Sequence, residues 1–398
     1  MEKETNKNAA ETPGWHHRRK FVKTVAAGSV GAVALGQGLG ITSAMARGSS
    51  SDRTGTPPVK KVLMKVGCQS GGTTRENLEF KARYGVFNID GGMPKMIPGV
   101  GWDLEDSLRK RDACEKYGIS LDAYHLPLTS AGINNVAFPH IMLGKSPERD
   151  REIEMVQQMI QVASKTGVHL LNYNTTILPV VRSGNTLDPT RGNTYYHSWN
   201  YEEAVKKNYA NVKTIAGDVS IDEIYERITY FLDRVLPVAE EYHVRLGNHI
   251  ADPPMPASYR GIMRWNSPDV FAGIKKYAQL YDSPSHGFNL CLGTTSEGLK
   301  DPATELIPII QWVGQRKQIF NIHLRNIKGG FNNFMEVFPD NGDVDFLKVV
   351  KTLRDVDYPY MVMPDHVPFH PAPGSSNQSF AFAYGYIKAL IHAASQDA

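Results

Sequence analysis

Residues 287–325, GFNLCLGTTSEGLKDPATELIPIIQWVGQRKQIFNIHLR, read as a strand, a helix and a second strand. The runs 287–292 and 319–325 are short and largely apolar, with β-branched and aromatic residues. Between them, 304–316 carries apolar residues at helical spacing. A strand that returns to a strand through a helix makes a parallel pair, and parallel pairs need both sheet faces covered.

The same unit recurs outward in both directions. Strands are expected at 61–69, 86–90, 119–126, 168–173, 244–250, 287–292, 319–325 and 360–365. Helical patterns lie at 75–84, 104–117, 147–166, 221–242, 268–281, 304–316 and 345–355, and a last helix near 379–394 closes the chain. Eight strands, each followed by a helix, predict an α/β fold of the (β/α)₈ TIM-barrel type. A doubly wound sheet would need a G-x-G-x-x-G turn after its first strand, and Gly71-Gly72 lacks that spacing. The segment 180–219, rich in Asn, Tyr and Thr, is expected to be an elaborated loop after the fourth strand.

The chain has 398 residues, 41% hydrophobic and 21% charged, enough apolar material for a large core. Its net charge of +3 comes from the first 46 residues, with six basic against three acidic side chains; the rest is balanced. A neutral body offers no electrostatic footprint for nucleic acid. Arg18-Arg19-Lys20-Phe21 precedes a weakly apolar run that ends Ala44-Met45-Ala46, the pattern of a twin-arginine export signal with a small-x-small cleavage site. The expected organisation is a signal peptide over 1–46, a linker over 47–59 and a catalytic barrel over 60–398. The expected location is periplasmic, with the export machinery as partner and no stable membrane span in the mature form. Three scattered cysteines exclude a disulfide framework.

Catalytic groups of such a barrel gather at the carboxyl ends of its strands. The fifth run ends in His249, the sixth in Cys291, the seventh in His323 and the eighth in Asp365. Two imidazoles, a thiol and a carboxylate on four successive strands form a plausible shell for a divalent metal.

His249-x-x-Asp-Pro-Pro, Cys291-x-Gly-Thr, His323-Leu-Arg-Asn with the later Gly342-Asp343-Val344-Asp345, and Pro364-Asp-His together resemble the mannonate dehydratases. Leu143-Gly144 with Arg149-Asp150, and Tyr173-Asn174 followed by Pro179 and Arg182, fit the same order. The resemblance runs from about residue 61 to 366. It implies a xylose-isomerase-like barrel with manganese (iron, cobalt or zinc as alternatives) on His249, Cys291, His323 and Asp365. It also implies loss of water from mannonate to give 2-keto-3-deoxygluconate, with His366 as the catalytic imidazole. The family's tyrosine after the Pro-Asp-His turn is absent: Gly374-Ser375-Ser376-Asn377 stands there. Val367 replaces a family glycine, and Phe338-Pro339 stands where a family histidine would follow Phe334-Met335-Glu336.

Removing a proton next to a carboxylate needs a metal as Lewis acid and a base of near-neutral pKa. His366 suits the base, and the acid that must protonate the leaving hydroxyl is left among His125, Tyr124 and a metal-bound water. Asn174, Arg182, Arg325 and Asn326 are candidates to hold the carboxylate and hydroxyls of the substrate. Asp252 is expected to cap its Pro-Pro turn. Three functions stay open: a sugar-acid dehydratase, a metal-dependent sugar isomerase, epimerase or keto-glycoside eliminase, and a noncatalytic sugar-binding barrel. A homo-oligomer is compatible with each.

Overall fold

The computed structural model describes residues 60–207 and 214–396. The expected signal peptide and linker lie outside the described residues. No helix among the described residues is long and apolar enough to cross a membrane.

The strands are β1 (Lys65–Gly71), β2 (Asn88–Gly91), β3 (Met96–Ile97), β4 (Gly101–Trp102), β5 (Ser120–His125), β6 (Leu170–Tyr173) and β7 (Gly184–Asp188). They continue with β8 (Thr194–Asn200), β9 (Arg245–His249), β10 (His286–Cys291), β11 (Ile319–His323), β12 (Asn326–Gly330), β13 (Asn333–Val337) and β14 (Met361–Met363). Eight of them close a parallel barrel in the order β1, β2, β5, β6, β9, β10, β11, β14, and β14 pairs back onto β1. These are the eight strands expected from the sequence. The crossover helices follow the same reading: Ile221–Glu241, for example, opens with a capping box in which Ser220 and Glu223 satisfy each other's exposed donors. Its apolar stripe, including Ile224, Ile228, Phe231, Leu232 and Val235, is buried against the barrel.

The barrel interior is layered. At the amino end Ala123, Leu170, Phe320, Met361 and Met363 form an apolar plug. Above it lies an amide layer, in which Asn321 Nδ2 donates to Asn289 Oδ1 at 3.0 Å and Asn172 Nδ2 donates to Asp90 Oδ2 at 2.9 Å. The functional groups stand on this layer.

The described residues of the 180–219 segment form strands and a short helix rather than a loop. β7 and β8 join β13 and β12 in a four-stranded antiparallel sheet, order β12-β13-β8-β7. β7 reads Gly-Asn-Thr-Leu-Asp and is almost wholly exposed, so neither alternation nor β-propensity marks it as a strand. Pairing with β8 holds it in place.

Candidate active site

One ligand atom from each of His249, Cys291, His323 and Asp365 fits within a mutual distance of 4.8 Å. Register explains the convergence. Cys291 pairs with His323 across β10 and β11, and His249 pairs with Asn289 across β9 and β10. Asp365 follows the end of β14 by two residues.

The His249 Nδ1–H donates to the Ile250 carbonyl at 2.6 Å, which leaves Nε2 as a bare lone pair 3.3 Å from His323 Nδ1. The opposite nitrogen of His323 is held by the Asn289 side chain at 3.2 Å. Burial lowers His249 to about 4 and pushes His323 well below the ordinary imidazole range, so both rings are neutral at pH 7. Burial opposes ionisation of Asp365, but the Arg325 guanidinium, 3.1 Å away, overrides it and holds the carboxyl near about 2. Burial, and then the Asp365 charge, push the Cys291 thiol well above its usual value. Its S–H donates to Asp365 Oδ2 at 3.4 Å, and Thr294 N–H donates to the sulfur at 3.3 Å. Asp365 Oδ1 is buried with no partner among the described residues. Two neutral imidazoles, an ionised carboxylate with an orphaned oxygen and a thiol fit a divalent transition metal, and an imidazole N–H tied to a carbonyl is how ligating histidines are oriented.

A second cluster of three carboxylates, Asp252, Glu297 and Glu336, lies behind the first. Two guanidiniums fill it. Arg325 Nη2 donates to Asp252 Oδ2 at 2.8 Å, Glu297 Oε1 at 2.9 Å and Thr294 Oγ1 at 2.9 Å. Arg182 donates to Asp252 Oδ1 at 2.6 Å, to Glu297 Oε1 at 3.2 Å and through Nε to Glu336 Oε1 at 2.8 Å. Both arginines were expected to grip the substrate. Arg325 is 1% exposed, and both guanidiniums are instead committed to protein carboxylates. Asp252 likewise does more than end its turn: it is the acceptor the two arginines share. The Cys-x-Gly-Thr turn acquires a physical reason here. A Cβ on Gly293 would overlap the Arg325 side chain, and Thr294 Oγ1 accepts from Arg325 while donating to Asp252 at 2.9 Å.

Burial resists the charge on Glu336, but Arg182 and Arg325 hold it far below the carboxylate range. Both its oxygens lie 3.0 Å from His366 Nδ1. Burial disfavours the imidazolium of His366, yet the Glu336 charge outweighs it and the pKa is raised. With its Nδ1–H donated to Glu336, Nε2 is the nitrogen of His366 left without a partner among the described residues.

A cavity of 280 Å³ opens beside these groups, lined by Gln69, His125, Asn174, His249, Asp365 and His366, with Asp252, Thr129 and Ser130 at its wall. Asn174 presents an amide with no protein partner among the described residues. His125 Nε2 lies 2.8 Å from Asp90 Oδ2. Burial opposes its protonation, but Asp90 raises its pKa. Tyr124 faces away from the cavity: it is fully buried and its hydroxyl meets Ser107 Oγ at 3.0 Å. Asn326 is also outside the site. Its Nδ2 donates to the Pro339 and Val344 carbonyls, and its Oδ1 accepts from Ile327 N and Val344 N, so all four hydrogen-bonding positions are taken by the backbone, three of them by Pro339 and Val344. The expected substrate contact by Asn326 is replaced by this structural one. Asp90 was legible by the strand-end rule that found the four candidate ligands, since it closes the second expected strand. Glu297 gave no such signal, because it lies in the short helix Leu292–Glu297 that the reading passed over.

Residues 198–397 match the family model described as D-mannonate dehydratase (UxuA). The mannonate dehydratase of Streptococcus equi subsp. zooepidemicus is 24% identical over 315 residues, covering 72% of this chain and 81% of the relative. That of Shouchella clausii is 27% identical over 311 residues, 71% and 82% of the two chains. Among solved structures, mannonate dehydratase from Streptococcus suis serotype 2 superposes with a TM-score of 0.69 at 24% identity, covering 84% of this chain and 94% of the other. A D-tagatose 3-epimerase-like protein shares the barrel at a TM-score of 0.51 and 15% identity, covering 84% of this chain and 99% of its own. The family match spans half the chain and includes Cys291, His323, Asp365 and His366: the chain belongs to the D-mannonate dehydratase family.

Proposed function

We propose that this chain dehydrates D-mannonate to 2-keto-3-deoxygluconate in the 280 Å³ cavity at the carboxyl end of the barrel. The observation that carries the reading is the placing of His366, with a partnered Nδ1 and an unpartnered Nε2, beside the His249–Cys291–His323–Asp365 cluster. A divalent ion on those four residues, manganese being the proposed one, supplies Lewis acidity to the carboxylate end of the substrate. His366 Nε2 takes the proton from C2. Glu336 fixes the ring through Nδ1 and favours the imidazolium that results. Asn174 and His125 orient hydroxyls, and the Arg182–Arg325 cluster acts through Glu336 and Asp365 as a positioning scaffold.

The amino-terminal 46 residues are proposed to direct export through the twin-arginine route, followed by a linker to residue 59; replacing Arg18 and Arg19 by lysine should then retain the protein in the cytoplasm. For the activity, the purified protein with added Mn²⁺ is incubated with D-mannonate and, in parallel, with ketohexoses. Appearance of the 2-keto-3-deoxy acid supports the reading. Interconversion of ketohexoses with mannonate untouched would replace it by an epimerase.

A further inference from the structure

Elimination needs an acid as well as a base, and the acid must line the cavity in which the substrate lies. The titratable side chains that do so are His125, His249, Asp252, Asp365 and His366. His249 and Asp365 belong to the four-residue cluster, and Asp252 is held by Arg182 and Arg325. His366 serves as the base. His125 is the group left. Tyr124, its neighbour in sequence, is fully buried with its hydroxyl on Ser107 Oγ.

Ring order puts His125 on the opposite wall from the base. His249, Cys291 and His323 end β9, β10 and β11, while Asp365 and His366 follow β14, so cluster and base come from four adjacent places in the barrel. His125 ends β5, four places from β11. A sugar acid held at the cluster by its carboxylate end extends toward that wall, where Gln69, Asn174 and His125 meet its hydroxyls.

The His125 ring is also set up to give a proton. Its Nε2 is buried in the wall, 2.8 Å from Asp90 Oδ2, and Asn172 Nδ2 donates to that same oxygen at 2.9 Å. Burial opposes protonation of the ring, but the charge of Asp90, itself fully buried, outweighs it and raises the pKa. In the imidazolium both nitrogens carry a proton. Nε2–H faces Asp90, and Nδ1–H, with no partner among the described residues, is the one left for the cavity. The Nδ1 proton can therefore leave while Nε2–H stays.

We propose that His125, paired with Asp90, is the proton donor to the departing C3 hydroxyl, an inference that rests on the dehydratase reading and deepens it. In the step, His366 Nε2 receives the C2 proton. The C2–H electron pair becomes the C2–C3 double bond, the C3–O pair leaves with oxygen, and the proton on His125 Nδ1 completes a water molecule. His125 is left neutral, its Nε2–H still facing Asp90. The enol then loses its hydroxyl proton to solvent and takes a proton at C3, which gives the 2-keto acid. Both imidazoles return to their starting protonation by exchange with solvent.

The test compares two leaving groups on Mn²⁺-loaded enzyme: the hydroxyl of D-mannonate, which must be protonated to depart, and the fluoride of 3-deoxy-3-fluoro-D-mannonate, which need not be. His125→Asn and His125→Gln are each expected to keep their metal and to lose about 10²-fold or more in kcat on mannonate, while fluoride release stays within about threefold of the wild type. A residue that only orients the substrate would slow both substrates alike. Unchanged kcat on mannonate in both variants overturns the proposal, and so does a parallel loss on the two substrates at full metal content. A wild-type enzyme that neither dehydrates mannonate nor releases fluoride would remove the dehydratase reading itself, and that is seen before any variant is made.

Discussion

His249 Nε2 and His323 Nδ1 face each other at 3.3 Å, with His249 already donating its other N–H to the Ile250 carbonyl. Because the Asn289 amide donates to His323 Nε2, the His323 Nδ1–H is the proton that the His249 Nε2 lone pair accepts. A divalent cation bound here would take the place of that proton, with Cys291 and Asp365 beside it. His249→Ala and Asp365→Ala are therefore expected to abolish stoichiometric metal binding while the chain still folds, as read by elemental analysis and circular dichroism. Metal retained at wild-type level in both variants would refute the assignment.

Metal binding should release a proton. His249 titrates at about 4 and is already neutral above pH 5, so it contributes none. Cys291 is the source, because burial and Asp365 keep its thiol protonated at neutral pH. Affinity should rise about tenfold per pH unit between pH 6 and 8, since each step down in proton activity favours the bound thiolate. Cys291→Ser should flatten that slope and weaken binding. Cys68, buried and pushed up to about 12, should tolerate serine with no change in affinity. A pH-independent metal affinity in the wild type would contradict thiolate ligation.

Arg325 links Asp252, Glu297, Glu336 and Asp365 while 1% exposed. Arg325→Met leaves buried carboxylates without a counter-charge and should cost about 3–5 kcal/mol in denaturant unfolding. Arg325→Lys should also be destabilising, because one ammonium cannot reproduce the fork that reaches Asp252 and Asp365 from two nitrogens. A lysine variant as stable as the wild type would show that the fork is dispensable.

Asn326→Ala separates a structural from a binding role. Loss of its three hydrogen bonds to Pro339 and Val344, and of the one from Ile327 N, should lower stability by about 2–3 kcal/mol, with KM for mannonate unchanged in the folded enzyme. A large rise in KM at unchanged stability would return Asn326 to the binding site.

The barrel was legible because each of its strands is a short apolar run and each crossover helix carries an apolar stripe, as in Ile221–Glu241. The convergence of His249, Cys291, His323 and Asp365 was legible for a topological reason: they stand at the ends of four adjacent strands, where position along the chain translates into position around the ring. Roles set by partners were not legible. Arg182 and Arg325 look in sequence like substrate clamps, and only the folding of Glu297 and Glu336 against them shows that the guanidiniums are taken. β7 and β8 escaped because Gly184–Asp188 is polar and exposed, so its strand conformation comes from pairing across the sheet rather than from its own residues.

The central claim is tested most directly by loading the purified protein with Mn²⁺, removing free ion, and following D-mannonate by NMR with wild type and His366→Asn side by side. The account predicts one bound ion per chain in both proteins, 2-keto-3-deoxygluconate from the wild type, and a loss of about 10²–10⁴ in turnover in the variant. Metal bound without any product from the wild type, or undiminished turnover in His366→Asn, would contradict it.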